Sequence, residues 1–238
     1  MKPLLSISNL HVAYGKAEVV HGVDLEVGEG EFVVLLGRNG AGKSTILHAA
    51  SGLIPKRAGK LIFSGSDLSA AAPREIVRAG LVQVLEGHRV FTSLSVEDNL
   101  MIGTYASATK DLTRLQRAYE LFPELAQRRN LPASMLSGGQ QQILAVAQGL
   151  ITQPRLLVLD EPSGGLAPII VDRILDVLAR LCESGMAVLL VEQLVEKALR
   201  RAHRCYLMET GRIAASGPAQ EIRGSDILHR VYLGQSQG

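Results

Sequence analysis

The chain carries two kinds of apolar stretch, and the contrast between them predicts its architecture. Leu4 to Leu10 and Val23 to Val27 place apolar side chains at about every second position, as strands with one buried face do. After the turn signal Gly28-Glu29-Gly30, Phe32-Val33-Val34-Leu35-Leu36 is apolar without a break. Leu156 to Leu159 and Ala187 to Val191 are unbroken too. Short runs of this kind suit strands covered on both faces, the usual state of a parallel sheet. Between the last two runs, Ile170, Ile174, Val177, Leu178 and Leu181 recur at helical spacing, and Gly185 closes the helix. Strand, helix, strand in this order predicts a right-handed parallel α/β unit. Residues from about 95 to 153 are poor in strand-like runs and are expected to form an inserted helical lobe. The α/β core then comes from about 1–94 and 154–238. "CYLMETGRIAASG" predicts a hairpin about Thr210-Gly211.

One of the buried runs leads into "GRNGAGKST", which fits G-x-x-x-x-G-K-[ST] and opens a helix. Glycines let a backbone wrap closely, so that its N–H groups point at phosphate oxygens. The helix beginning near Lys43 adds the positive end of its dipole. The expected cradle is Gly37, Arg38, Asn39, Gly40, Ala41, Gly42, Lys43, Ser44 and Thr45. Lys43 is expected on the β- and γ-phosphates, and the Ser44 hydroxyl on Mg²⁺. "RLLVLDEP" supplies a second half. Asp160 and Glu161 leave a buried strand at the sheet edge where open α/β sheets bind ligands. Asp160 is expected to hold the metal. Glu161 is expected to orient the water that attacks the γ-phosphate, because phosphoryl transfer depends on positioning and charge.

"LSGGQ", Leu136 to Gln140, is on spacing alone a capped helix start. Ser137 and Gln140 form a capping box above the stripe Ile143, Ala147, Leu150 and Ile151. In company with the loop and the acids it does more. Over essentially its full length the chain resembles the nucleotide-binding subunits of ATP-binding cassette (ABC) transporters. The resemblance implies a P-loop NTPase of the α/β class with a RecA-like core, an N-terminal antiparallel β subdomain and an inserted α-helical subdomain. It implies ATP and Mg²⁺ as cofactors. It also implies a head-to-tail dimer in which Ser137, Gly138, Gly139 and Gln140 reach the nucleotide of the opposing subunit. Tyr14, in "HVAYG", matches the aromatic that stacks on adenine; the alternative for it is a half-buried strand residue. Ser163 to Pro168 matches the dimer-contact loop, with Ala167 where Asp is common. Gln193 matches the switch position, where His is usual, and can donate to a γ-phosphate oxygen but cannot take a proton. The catalytic set implied is Glu161, Gln193 and Lys43.

"GLVQVLEGHRVFTSLSVEDNL" offers both Gln83 and Glu86 for the loop position that commonly holds glutamine in this family. Alternation places Gln83 mid-strand on the face of Leu81, and Glu86 at the strand exit. The register of Glu86-Gly87-His88-Arg89-Val90-Phe91 resembles branched-chain amino acid importer ATPases of the LivF type. So do Gly165-Leu166-Ala167-Pro168 and Val191-Glu192-Gln193. That implies Glu86 in the functional loop place, beside Ser44 and Asp160 as metal ligands, and its full negative charge near phosphate is expected to couple metal and ATP more tightly than a glutamine would. Gln148, where arginine is common, and Leu194, where asparagine is common, depart from the type.

The resemblance implies two membrane permease subunits, a second ATPase subunit and an extracytoplasmic binding protein as partners. Val90, Phe91 and Leu94 are candidates for the permease groove, with core packing the alternative for Phe91. Urea or amide import and lipopolysaccharide export remain as alternatives, as does a soluble ABC ATPase of iron–sulfur assembly. A non-hydrolysing subunit is disfavoured by the presence of Lys43, Ser44, Asp160 and Glu161. Composition narrows this little further. The net charge of +2 gives no case for nucleic acid, and no apolar run approaches the ~20 residues of a membrane span. The start, Met1-Lys2-Pro3-Leu4-Leu5, lacks a signal-peptide core, so a cytoplasmic protein peripheral on the inner face of the cell membrane is expected. Cys182 and Cys205 form no close pair and are expected to be ordinary small apolar residues.

Overall fold

The computed structural model describes residues 2–87, 89–104 and 112–233. His88 of the Glu86–Phe91 loop and residues 105–111 of the expected helical insertion lie outside them. The chain begins with β1 (Leu5–Tyr14), β2 (Ala17–Val27) and β3 (Phe32–Gly37), then α1 (Lys43–Ala50), β4 (Ala58–Phe63), β5 (Ser66–Asp67), α2 (Pro73–Ala79) and β6 (Leu81–Val84). The next elements are all helical: α3 (Val96–Thr104), α4 (Leu112–Leu121), α5 (Pro123–Ala126) and α6 (Gly138–Leu150). The parallel unit follows as β7 (Leu156–Asp160), α7 (Pro168–Glu183) and β8 (Ala187–Val191). The chain then runs through α8 (Val195–Leu199), the hairpin β9 (Arg204–Glu209) and β10 (Arg212–Pro218), α9 (Ala219–Arg223) and α10 (Asp226–Leu233).

Two sheets result. One is antiparallel, in the order β2-β1-β4-β5; the other runs β10-β9-β3-β8-β7-β6. In the second, β9, β3, β8, β7 and β6 are parallel neighbours, and only β10 is antiparallel, on β9. The unbroken apolar runs are β3, β7 and β8, each buried at every position. Phe32, Val34 and Leu36 face a cluster shared with α6 and α7. Val33 and Leu35 face the antiparallel sheet and α1. Alternating side chains of one strand therefore close two cores. Thr210 and Gly211 both have positive φ, the geometry of a tight hairpin turn, as "ETGR" predicts. Cys182 and Cys205 are buried free thiols, and burial pushes both up to about 12.

The strands β1 and β2 are longer than the alternating stretches suggest. A register shift between Ile7 and Leu10, with Asn9 at positive φ, puts two exposed residues in succession and breaks the period of two. No helix among the described residues is long and apolar enough to cross a membrane.

Candidate nucleotide site

The parallel order brings the C-terminal ends of β3, β7 and β8 side by side, with β6 at the edge. The segments that leave these strand ends meet in one cavity of about 360 Å³, lined by Val19, Asn39, Gly40, Gly42, Lys43, Ser44, Thr45, Glu86, Glu161 and Gln193. Gly37 ends β3, and a Cβ there would stand 2.4 Å from the Met208 carbonyl oxygen, so only glycine allows this approach of β3 to β9. Gly42 precedes α1 at φ +104, where a side chain would be strained and would press on Met208 and the Val19 carbonyl.

Within the cavity the polar groups are already tied together. The Lys43 ammonium, nearly buried, donates to the carbonyls of Gly37 at 2.9 Å and Arg38 at 3.2 Å, and lies 3.4 Å from Glu161 Oε1. Gln193 Nε2 donates to Glu161 Oε2. Glu161 adopts φ +45, a left-handed conformation rare for such a residue, and its N–H donates to Val191 O at 2.9 Å. The Ser44 hydroxyl donates to Asp160 Oδ1 at 2.9 Å. Asp160 is 2% exposed, and burial raises its carboxyl above the usual range against the pull of Ser44 and His48.

The structure separates Glu86 from Gln83. Glu86 lines this cavity; Gln83 stays in β6, paired beside Val158, with both amide atoms buried and unpartnered among the described residues. Arg38 and Ala41 belong to the loop but do not line the cavity. Tyr14 lies outside it, 51% exposed at the β1–β2 turn. Ser137, Gly138, Gly139 and Gln140 are also outside it. They form the start of α6, where Gln140 N donates to Ser137 Oγ at 3.3 Å and Ser137 N to Gln140 Oε1 at 3.1 Å.

Three residues to which the sequence patterns assign no role join the site. His48 Nε2 is 3.7 Å from Asp160 Oδ2; its signal is its place one helical turn after Ser44. Tyr232, on α10, accepts the Gly37 N–H at 2.8 Å and meets the Gly37 carbonyl at 3.4 Å. Burial raises its hydroxyl to about 12. Glu192, at the end of β8, is fully buried, and burial raises its carboxyl as well.

Comparison with known proteins agrees with this geometry. The ABC transporter family profile matches residues 20–164. The chain is similar to the high-affinity branched-chain amino acid transport ATP-binding protein BraG of Pseudomonas aeruginosa, 39% identical over 97% of this chain and 100% of that protein. It is 30% identical to the probable branched-chain amino acid transport ATP-binding protein LivF of Archaeoglobus fulgidus, over 97% of this chain and 99% of the relative. It is 35% identical to the lipopolysaccharide export system ATP-binding protein LptB of Escherichia coli, over 97% of each. A solved ATP-binding subunit of an ABC transporter superposes with a TM-score of 0.86 at 26% identity, covering 97% of this chain and 98% of that one. A glycine-rich loop opening α1, an acid pair at the exit of β7 and this likeness along the whole chain lead to one family. The chain belongs to the ABC transporters, as an ATP-binding and ATP-hydrolysing subunit.

Proposed function

We propose that the chain powers import of branched-chain amino acids, as one of two ATPase subunits beneath two permease subunits fed by an extracytoplasmic binding protein. The observation that carries the reading is the convergence of Lys43, Ser44, Glu86, Glu161 and Gln193 on one cavity, with Asp160, which does not itself line it, bonded to Ser44. The choice of cargo is supported by the likeness to BraG and by the Glu86–Phe91, Gly165–Pro168 and Val191–Gln193 segments.

The backbone of Gly37 to Thr45 holds the phosphates, and Lys43 exchanges its contacts with Glu161 and the loop carbonyls for phosphate oxygens. Ser44 and Asp160 present a hydroxyl and a carboxylate 2.9 Å apart, an all-oxygen donor set that fits Mg²⁺, with Glu86 across the cavity as a third oxygen donor. When bound, the cation neutralises developing phosphate charge. Glu161, released by Lys43, orients the attacking water, and Gln193 holds both the Glu161 carboxylate and a γ-phosphate oxygen. Tyr14 stacks on adenine from its exposed place at the β1–β2 turn. Ser137 and Gly138 are exposed at the start of α6, away from the chain's own cavity, as a contact to the nucleotide of a second cassette requires.

The helical subdomain is about 95–153, and its junction with the core supplies the permease contact. There a cavity of about 250 Å³ is lined by Gln83, Arg89, Phe91, Ile102 and Gln148 among others, with Phe91 54% exposed. With the permease bound there, the subunit sits on the inner, cytoplasmic face of the cell membrane. Glu161→Gln should abolish hydrolysis and trap ATP in a closed assembly that retains the permease, measured by phosphate release and nucleotide retention on the purified transporter. Undiminished turnover in that variant would remove the role given to Glu161. Uptake of labelled leucine that does not depend on the chain, with lipopolysaccharide export that does, would replace the cargo assignment by the reading that its likeness to LptB supports.

A further inference from the structure

Glu192 is a buried carboxylate whose partners all come from two loops. Its side chain is 0% exposed, and no Lys, Arg or His among the described residues pairs with it. Oε1 accepts Ser163 N–H at 3.0 Å. Oε2 accepts the Ser163 hydroxyl at 2.6 Å, Gln193 N–H at 2.9 Å and Leu194 N–H at 3.3 Å. An ionised group buried without a countercharge is costly to maintain, so four donors directed at one carboxylate define a site that fixes geometry.

The geometry is a ring. Ser163 belongs to the loop after β7 that begins with Glu161, and Gln193 opens the loop after β8. Glu192 joins the two loops through Ser163, and Gln193 Nε2 joins them a second time by its bond to Glu161. Ser163 therefore cannot shift without pulling on the carboxylate that also holds the backbone of Gln193. Beyond Ser163 the loop turns outward, with Gly164, Gly165, Ala167, Pro168 and Ile169 all exposed.

We propose that Glu192 is a positioning residue that links the outward Ser163–Pro168 loop to Gln193 and Glu161, so that contact of a second cassette on that loop sets the hydrolytic pair. The proposal rests on the dimer-contact role of that loop. Apposition of the partner fixes Ser163; the Glu192 carboxylate passes that constraint to the Gln193 backbone, and the Gln193 amide passes it to Glu161. Glu192 and Ser163, the two residues varied in the test, do not line the nucleotide cavity, so the backbone cradle that binds ATP is left intact when their bond is broken.

The test uses the purified assembled transporter with Ser163→Ala, Glu192→Gln and the double variant. Glu192→Gln keeps the volume but turns an amide N–H₂ toward at least one donor. Each single variant should lower kcat on the order of tenfold, with KM for ATP and equilibrium nucleotide binding within about twofold of wild type. The double variant should be no slower than the worse single one, because both act through one joint. Ser163→Thr keeps the hydroxyl donor and should recover most of the rate. If Glu192→Gln does not assemble, Ser163→Ala against Ser163→Thr still decides. Multiplicative losses in the double variant would overturn the proposal, as would a defect confined to KM or wild-type rates throughout. Failure of the parent reading shows separately: the Glu161→Gln transporter would then fail to trap ATP.

Discussion

Tyr232→Phe removes one oxygen atom and leaves the packing of the ring on α10 in place. That oxygen accepts the N–H of Gly37, a buried residue at the root of the phosphate loop, at 2.8 Å. Without it the N–H loses that acceptor, and an unsatisfied buried donor costs about 1–3 kcal/mol. In a chain of this size each kcal/mol lowers the melting temperature by about 2–4 °C, so a fall of about 2–12 °C is expected. The same variant loosens the start of the cradle. ADP should bind on the order of threefold to tenfold more weakly, since a factor of ten is about 1.4 kcal/mol. Scanning calorimetry and titration calorimetry on the purified chain measure both. A melting temperature within about 1 °C of wild type, with ADP affinity unchanged, would show that the tie across 195 residues does not support the loop.

Asp160→Asn should abolish hydrolysis yet stabilise the chain in chelator at pH 8. Burial raises the folded-state carboxyl of Asp160, so its ionised form destabilises the fold above that raised value, and the advantage of Asn should vanish as pH falls through the ordinary carboxylate range. Denaturant melts at several pH values check this, and equal midpoints at pH 8 would contradict it. Asn99 is fully buried. It accepts from Phe91 N–H at 2.8 Å and shares its amide with the carbonyls of Phe91, Leu94 and Ser95. Asn99→Ala should cost on the order of 3 kcal/mol in denaturant melts and uncouple transport from hydrolysis, with nucleotide binding retained. Gln193 cannot titrate near neutrality, so Gln193→His should add an ionisation to the pH–rate profile that wild type lacks. An unchanged profile would place residue 193 away from the reacting phosphate.

The fold is legible in the sequence wherever a short-range pattern is sufficient. β3, β7 and β8 announce themselves as unbroken apolar runs because both of their faces are covered. The phosphate loop and the Ser137–Gln140 capping box are local in the chain, and the structure forms both hydrogen bonds of the box. The alternation of β1 breaks at Ser8–Asn9 and resumes at Leu10 with opposite parity, since an extra residue in one strand inverts the pattern beyond it. In the site, Glu86 is separable from Gln83 because strand parity is a local property. Tyr232 is not legible: a hydroxyl that meets Gly37 from α10 leaves no pattern in the residues around either partner. Glu192 stands in view within a recognised segment, but its four donors come from loops whose meeting depends on the order of β7 and β8 in the sheet.

The double covering of the central sheet has a consequence for how its strands find their places. In β8, Val188 and Leu190 face one core while Ala187, Leu189 and Val191 face the other. A slip by one residue would exchange sets of nearly equal size and polarity, so hydrophobicity barely distinguishes the correct alignment from its neighbour. Glu192 does distinguish it. Val191 lies opposite Asp160 in the native pairing, and the slip would bring Glu192 to that position, two carboxylates abreast and away from the loop N–H groups. The strand is spelled in interchangeable letters, and the acid at its end is the mark that tells the chain where to stop.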